Sequence, residues 1–384
     1  MERVGQANNK SWMQTGGGIH PARGFSRAAS SYNENFMHSD TAAVRQGEEL
    51  NLTALAHHLK GTIPGVESGI EVQQFPGGHS NLTYWLSIGR KEYVLRRAPL
   101  GPVAPKAHDM VREARVLHAV HPLFPPAPEV YHVCEDPSII GAPFFLMQRR
   151  HGIVLRDHIP PEVSAHENYA ARISRAFVDC MVQLHSIDVE KHGLTSLGKP
   201  EGFVERQVKG WSERWDRAHT EDNPVVDRLK AYFAKTIPHS AAPTLVHNDF
   251  KLDNVMLDLH SPDRIEAVLD WEMTTVGDPL SDVGLTLCYW SSALVPGTTL
   301  EAVTTGPGWY SRDEFVARYA EKTGRDVSVL PWFEAFGVFK LAVILQQIYY
   351  RFWRGQTTDE RFRHFDQRVK SLTERAAEMV EQIQ

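Results

Sequence analysis

The apolar positions of the chain first show a helical period and then a strand period. Asn51, a residue type that caps helices, precedes apolar residues spaced three and four apart, which predicts a helix that ends at Gly61. Alternating apolar and polar residues then predict strands at 70–75, 82–88 and 91–97. Because tight turns join these strands, we expect an antiparallel meander.

A helix and two further strands extend this sheet. Apolar residues on one side predict a helix at about 106–120, and strands are expected at 129–135 and 143–148 after a proline-rich connection. From about residue 165 the helical period dominates, with helices predicted at 169–187, 203–219, 223–236, 312–323, 331–354 and 358–382.

These elements predict an α+β protein with two lobes. Residues 41–148 are expected to form a small lobe, an antiparallel five-stranded sheet with one helix, and residues 149–384 a larger, mainly helical lobe. Residues 1–40 are rich in Gly, Ser and Asn and contain no apolar core of a secretory signal, which indicates a disordered leader. The apolar run at 336–348 is too short for a bilayer and contains Lys340, so we expect a cytoplasmic protein without a membrane partner.

The net charge of the chain and the spacing of its cysteines reduce the classes of partner that we expect. A formal net charge of −6 without clustered Lys and Arg argues against nucleic acid as a partner. The three cysteines, Cys134, Cys180 and Cys288, are far apart and show no metal-ligand or disulfide spacing. Nothing in the pattern specifies an oligomeric state.

The segment 245–257 carries the most informative chemistry. His247, Asp249, Lys251 and Asn254 follow the spacing H-x-D-x-x-x-x-N between two short apolar runs. The carboxylate of Asp249 can accept the proton of an attacking hydroxyl, and the amide oxygen of Asn254 can bind a hard divalent cation. This combination is typical of phosphoryl transfer, and His247 is better explained as a structural residue of the loop.

A second acid completes the constellation. The apolar piece 264–269 leads directly into Asp270, which places a carboxylate at the end of a predicted strand. Mg²⁺ usually takes only one or two protein carboxylates, together with waters and phosphates. Asn254 and Asp270 are therefore sufficient as candidate Mg²⁺ ligands.

Together these motifs resemble the aminoglycoside phosphotransferase / choline kinase-like family. The resemblance rests on the loop at 247–254, on Asp270, Trp271 and Glu272, and on the run from Gly277 to Asp282. Within the family it is closest to the kinase-like domains that occur fused to acyl-CoA dehydrogenases, and it covers about residues 48–360. It implies a protein-kinase-like bilobal fold and transfer of a phosphoryl group from ATP to a hydroxyl of a small-molecule acceptor.

The resemblance also implies roles for single residues. Asp249 resembles the catalytic base, Asn254 and Asp270 the Mg²⁺ ligands, and Glu113 the helix glutamate that forms an ion pair. Its expected partner is Arg96, at the strand position that contacts the α- and β-phosphates and where most relatives have Lys. Because Arg is a wider, planar fork, the role is retained only if the pocket fits it.

Further nucleotide contacts are expected at two places in the chain. The loop after the first strand and the connection between the lobes together place these residues beside ATP: Gly77, Gly78, Ser80, Asn81, Gln148 and Arg150. Lys251 contacts the γ-phosphate or the acceptor, or it is simply solvated.

Several alternatives remain open at this stage. Arg96 motivates a nucleotide-binding module without transfer, whereas a protein kinase is disfavoured because Asp270 is followed by Trp271 and Glu272 instead of a D-F-G motif. A hydroxy acid or a hydroxyacyl-CoA is one class of acceptor. An aminoglycoside is the other, but it would require a strongly acidic pocket, and the region 297–314 is not notably acidic. Five cations could neutralise an acidic acceptor or simply be solvated: Arg206, Lys209, Arg214, Arg351 and Arg354.

Overall fold

A computed structural model of the chain describes residues 40–76, 81–99, 109–239, 242–290 and 303–383. Gly77, Gly78 and Ser80, and all of the expected leader except Asp40, lie outside the described residues. Within these ranges no helix is both long enough and apolar enough to cross a membrane.

The first half of the described chain forms the five-stranded antiparallel sheet that the sequence predicts. Its strands have the spatial order β1-β2-β3-β5-β4, with bounds β1 Ile70–Gln74, β2 Leu82–Ile88, β3 Lys91–Arg97, β4 Val130–Cys134 and β5 Phe144–Gln148. The register pairs Arg96 of β3 with Phe145 of β5. Successive side chains of a strand point to opposite faces of the sheet, so Arg96 and Arg97 face opposite sides.

Two helices cover the two faces of this sheet. Helix α1, Leu52–Leu59, begins where the Asn51 side chain accepts a hydrogen bond from the Ala54 amide, as its sequence predicts. Helix α2, Met110–Val120, is capped at its N-terminus by Asp109, and the earlier start predicted for it lies outside the described residues. Glu113 of α2 is buried with the apolar side of that helix, so it requires a partner.

The second half is mainly helical. The bounds of its helices are α3 Pro161–Ser164, α4 Tyr169–His185, α5 Phe203–Ala218, α6 Pro224–Lys235, α7 Leu280–Leu287, α8 Arg312–Thr323, α9 Leu330–Trp353 and α10 Phe365–Ile383. Helix α9 is buried on nearly all sides over its first half and packs against α5, α7 and α10. The sequence did not predict α7, because seven of its eight residues are buried and such a helix shows no amphipathic period.

The last helix begins later than predicted. The sequence places its start at 358, but a separate 3₁₀ turn at Glu360–Phe362 precedes α10. The Asp359 carboxylate accepts a hydrogen bond from the Arg361 amide and starts that turn, which the apolar periodicity does not reveal.

Short strands between the helices position the acidic residues. Their bounds are β6 Ile153–Val154, β7 Thr244–Val246, β8 Val255–Leu257, β9 Ile265–Val268 and β10 Thr275–Gly277. Strands β6, β8 and β9 form one antiparallel sheet, and β7 pairs with β10. The segment with Asp249 lies between β7 and β8, and Asp270 comes just after β9, so the two pairings bring both acids to one region.

Helices α7 and α9 approach each other through a glycine. A Cβ atom on Gly284 would lie 2.6 Å from the backbone carbon of Phe333 and 2.7 Å from its oxygen. These backbone atoms have little freedom to move, so a side chain at position 284 would push α7 away from α9.

We expect Gly284→Ala to lower the free energy of unfolding by about 1–3 kcal/mol, because the added methyl overpacks the α7–α9 contact. Urea unfolding followed by circular dichroism measures this change. The control is Gly210→Ala in α5, where a Cβ meets nothing within 4 Å and the better helix former should stabilise by about 0.5–1 kcal/mol. Equal effects of the two substitutions would contradict the close helix contact.

Candidate active site

The carboxylate of Asp249 is held by two neighbours in its own loop. Lys251 Nζ lies 3.0 Å from Asp249 Oδ1. The Asn254 amide nitrogen donates to Asp249 Oδ2 at 2.7 Å and to the Asp249 backbone oxygen at 2.8 Å. Both amide hydrogens of Asn254 are used in this way, so its amide oxygen is the atom that remains to bind a cation.

A buried carboxylate on α7 supports the same loop. Asp282 accepts hydrogen bonds from the backbone amides of His247 and Asn248, each at 2.6 Å. His185 Nε2 lies 3.2 Å from Asp282 Oδ2. Burial raises the pKa of Asp282, but the hydrogen bond and charge of His185 and the nearby His247 outweigh burial, so the net shift is downward. Asn248 has φ +63°, a conformation that these contacts help to hold.

His247 joins this loop to the strand that carries the second acid. Its ring is fully buried and its Nε2 lies 3.0 Å from the Leu269 backbone oxygen. The Leu269 amide in turn donates to the Asn254 backbone oxygen at 2.7 Å. These contacts bring Asn254 and Asp270 together and give His247 the structural position that the sequence favoured.

Asp270 adopts a backbone conformation that few non-glycine residues use. Its φ is 65° and its ψ is 67°, in the left-handed region. The next residue, Trp271, is almost fully buried, and its indole nitrogen donates to the Val268 oxygen at 2.8 Å. Packing of Trp271 therefore supports a conformation that presents the Asp270 carboxylate, and such conformations occur often at functional sites.

Arg96 lies between two carboxylates. Its guanidinium is 3.3 Å from Glu113 Oε1 and 3.2 Å from Asp270 Oδ1. Burial raises the pKa of Glu113 to about 7, an effect that the charge of Arg96 reduces. Burial alone would lower the pKa of Arg96, but Glu113 and Asp270 raise it further than burial lowers it. Arg97 instead binds the Ile140 backbone oxygen at 2.6 Å, on the other side of the sheet.

Two contacts that the sequence did not predict hold the segment after Asp270. Arg112 of α2 donates to the backbone oxygen of Glu272 at 2.8 Å and also to that of Thr274. The Asn81 amide nitrogen donates to Glu272 Oε2 at 2.9 Å. Hydrogen bonds from the small lobe therefore hold the segment that follows Asp270. The only feature of the sequence that points to Arg112 is its position next to Glu113.

The candidate residues line one cleft with a volume of about 730 Å³. Besides apolar Val94, Met147 and Met256 from both lobes, the cleft is lined by these polar residues proposed from the sequence: Asn81, Arg96, Glu113, Gln148, Arg150, Asp249, Lys251, Asn254 and Asp270. The sequence missed the apolar lining because its residues follow the same core pattern as their neighbours. Arg149, Arg156 and Asp253 also line the cleft and were not predicted.

Gln148 and Arg150, the residues expected beside ATP at the connection between the lobes, already donate hydrogen bonds within the protein. The Gln148 amide already donates to the Glu129 oxygen at 2.7 Å, within the sheet edge. The Arg150 guanidinium donates to the Pro125 oxygen at 2.7 Å. A nucleotide base would therefore have to pair with other atoms of this connection than the Gln148 N–H.

Comparison with known proteins identifies the family of the chain. Residues 71–348 match the model of the phosphotransferase enzyme family, so the chain belongs to that family. A solved structure of a putative aminoglycoside phosphotransferase from Ralstonia eutropha is similar, with a TM-score of 0.74, 28% identity and coverage of 87% of this chain and 99% of that one. The chain thus has the bilobal protein-kinase-like fold.

Two further proteins are similar to this chain. Acyl-CoA dehydrogenase family member 10 of Mus musculus is 33% identical over 345 residues, which cover 88% of this chain but only 32% of the mouse protein. A ternary complex of a thermostable mutant of aminoglycoside phosphotransferase APH(4)-Ia with AMP-PNP and hygromycin B has a TM-score of 0.51, 17% identity and coverage of 82% and 94%. This second likeness shows the fold alone.

We expect Asp282→Asn to lower the free energy of unfolding by about 2 kcal/mol at neutral pH, since a charged acceptor of two buried amides is lost. The folded-state pKa of Asp282 is depressed, so its contribution is present above the unfolded pKa near 3.8 and is lost as pH falls through the folded value. The variant should therefore lose less stability in acid than the wild type does. Urea unfolding between pH 3 and 7 measures this.

Asp313→Asn is the control for that measurement, because the Asp313 side chain is 92% exposed. Its unfolding should follow the wild type at every pH. An Asp282→Asn curve that runs parallel to the wild type down to pH 3 would show that Asp282 does not carry the acid dependence.

Proposed function

We propose that the protein is a Mg-ATP-dependent phosphotransferase that moves the γ-phosphate of ATP to a hydroxyl of a small acceptor. The observation that carries this proposal is the convergence of Asp249, Asn254, Asp270 and Arg96 on one cleft. A base, two hard oxygen ligands and a phosphate-binding cation are the parts that phosphoryl transfer needs.

Asp249 is the residue proposed to act on the acceptor hydroxyl. Lys251 and Asn254 fix its carboxylate from two sides, so it is oriented before the acceptor binds. In the transfer, the hydroxyl oxygen forms a bond to the γ-phosphorus while its proton passes to Asp249. The bond from that phosphorus to the β,γ-bridging oxygen breaks, and ADP leaves with the electron pair.

The remaining residues are proposed to hold the nucleotide. Val94, Met147 and Met256 supply apolar surface suited to a flat base. Arg96, anchored by Glu113, would contact the α- and β-phosphates. The amide oxygen of Asn254 and the carboxylate of Asp270 would hold a Mg²⁺ ion, which would neutralise part of the charge of the phosphates.

A hydroxy acid or a hydroxyacyl-CoA is proposed as the acceptor. This choice is supported by the similarity to a relative named an acyl-CoA dehydrogenase family member. An aminoglycoside is the alternative, motivated by the solved structures that bear that name. Aminoglycosides are polycations and require acidic pockets, so the two acceptor classes make opposite electrostatic demands.

We expect Asp249→Asn to lower kcat by about 10²- to 10⁴-fold, because the proton acceptor is lost while the shape of the side chain is kept. Release of ADP with an acceptor mixture measures kcat, and the rise in Tm with Mg-ATP measures nucleotide binding, which should persist. Asp227→Asn, on the outer side of α6, is a control expected to match the wild type. Equal rates for wild type and Asp249→Asn would overturn the assigned role.

A second candidate function is a nucleotide-binding module without transfer. It is motivated by the contact of Arg96 with Asp270, in which a guanidinium occupies one oxygen of a proposed metal ligand. Lys is a compact point charge and would release that oxygen more readily. Substitution at this position therefore separates the two functions.

For a phosphotransferase, we expect Arg96→Lys to lower kcat/KM for ATP by up to about tenfold, since it loses part of a charged hydrogen bond worth about 1.5–3 kcal/mol. A module blocked by Arg96 would instead gain transfer in this variant. Steady-state kinetics with varied ATP measures the difference, and Arg115→Lys, an exposed position on α2, is the matched control.

A further inference from the structure

Two charged side chains of the cleft, Asp253 and Arg156, are not engaged by the protein around them. Both line the cleft that contains Asp249, and both are exposed there. In the described part of the chain neither side chain forms an ion pair or a hydrogen bond. The other charged side chains that line this cleft have partners within the protein. Asp253 and Arg156 are therefore free to bind a ligand.

The pairing of β6 with β8 places Arg156 along one wall of the cleft. Val154 of β6 lies opposite Met256 of β8, and both residues line the cleft. Because the two strands are antiparallel, the chain that leaves β6 runs toward the beginning of β8, where Asn254 lies. Arg156 comes two residues after Val154, so it lies on the Asn254 side of Met256.

Asp253 borders the same part of the wall. It belongs to the 3₁₀ turn Leu252–Asn254, which leads directly into β8 and packs against β6. The order of this sheet is β6-β8-β9, so Asp270, which follows β9, lies on the other side of β8 from Arg156. The free acid and the free arginine therefore lie at the beginning of β8, with Arg156 on the side away from the second proposed metal ligand.

The sugar of a bound nucleotide would have to cross this part of the wall. The base is proposed to lie against Met256, and the phosphates are proposed to lie at Asn254, two residues earlier in the chain. Two residues of a strand span about 7 Å. In a nucleotide the sugar joins the base to the phosphates, so it would lie over the stretch that Arg156 and Asp253 border.

A pair of hydroxyl groups can satisfy both of these side chains. A hydroxyl donates one hydrogen bond and also accepts, whereas an ionised carboxylate can only accept and a guanidinium can only donate. A free acid beside a free arginine therefore matches the vicinal diol of a ribose. An anionic group would suit Arg156 but would be repelled by Asp253, and a cationic group would meet the opposite conflict.

We propose that Asp253 and Arg156 bind the ribose diol of the nucleotide and make the protein selective for ribonucleotides over deoxyribonucleotides. Asp253 accepts a hydrogen bond from a sugar hydroxyl, and Arg156 donates one to a sugar oxygen. This inference rests on the proposed function, because it takes the base to lie at Met256 and the phosphates at Asn254.

Nucleotide binding without an acceptor tests this inference on the full chain. Calorimetry measures the Kd of ATP, 2′-deoxyATP and 3′-deoxyATP in the presence of Mg²⁺. We expect at least one of the two deoxy analogues to bind the wild type about tenfold more weakly than ATP, because it lacks a hydrogen bond to a charged group. The analogue that loses affinity identifies the hydroxyl that is bound.

Substitution of Asp253 should remove this preference and leave nucleotide binding itself in place. Asp253→Ala should raise the Kd of ATP about tenfold, but it should not change the Kd of the weaker deoxy analogue, which has no hydroxyl to lose. A variant that merely disturbed the neighbouring Asn254 would weaken all three nucleotides by the same factor. Arg156→Gln should also weaken ATP more than that analogue.

The matched controls remove one exposed charge of each sign outside the cleft. Asp227→Ala on α6 and Arg217→Gln on α5 should both bind the three nucleotides as the wild type does. Because Asp253 and Arg156 are exposed as well, their variants should fold, and urea unfolding of each variant checks this.

The outcomes separate this inference from the proposed transfer. Equal Kd values of the wild type for the three nucleotides would overturn the ribose contact, whatever the rate of transfer. A hydroxyl preference that depends on Asp253, without transfer to any acceptor, supports the contact and counts against the proposed transfer. If Asp253→Ala or Arg156→Gln raises the KM of an acceptor while the Kd of ATP stays unchanged, the pair binds the acceptor and the ribose contact is overturned.

Discussion

The buried carboxylate of Asp282 is the contact on which the geometry of the cleft depends. It accepts the backbone amides of His247 and Asn248, so the loop enters the cleft with a defined orientation. A carboxylate can satisfy several donors at once and keeps its charge when the donors are well placed, as its lowered pKa indicates. The position of Asp249 therefore follows from a residue on a different helix.

The second acid is positioned by the small lobe as much as by its own strand. Arg112 and Asn81 hold the segment around Glu272, and Arg96 contacts Asp270 directly. Because these contacts cross the cleft, a change in the angle between the lobes would also move the proposed metal ligand. The same contacts therefore couple the position of Asp270 to the arrangement of the two lobes.

Arg96 and Lys340 are two largely buried cations with different surroundings. Arg96 has two carboxylate partners, whereas Lys340 has none in contact, although both side chains are largely buried. A guanidinium shared by Glu113 and Asp270 can exchange one partner for phosphate oxygens without becoming isolated.

The sequence alone determined the elements and contacts that are local. The strands around Arg96, the cap at Asn51 and the pair of Asp249 and Asn254 depend on residues that are close in the chain, and their spacing reveals them. Tertiary structure decided the rest. The hydrogen bonds of Asp282 and Arg112 join residues that are 34 to 162 positions apart in the chain. The surroundings of Lys340 depend on the packing of α9 against α5. No periodicity records such contacts, because folding alone brings these groups together.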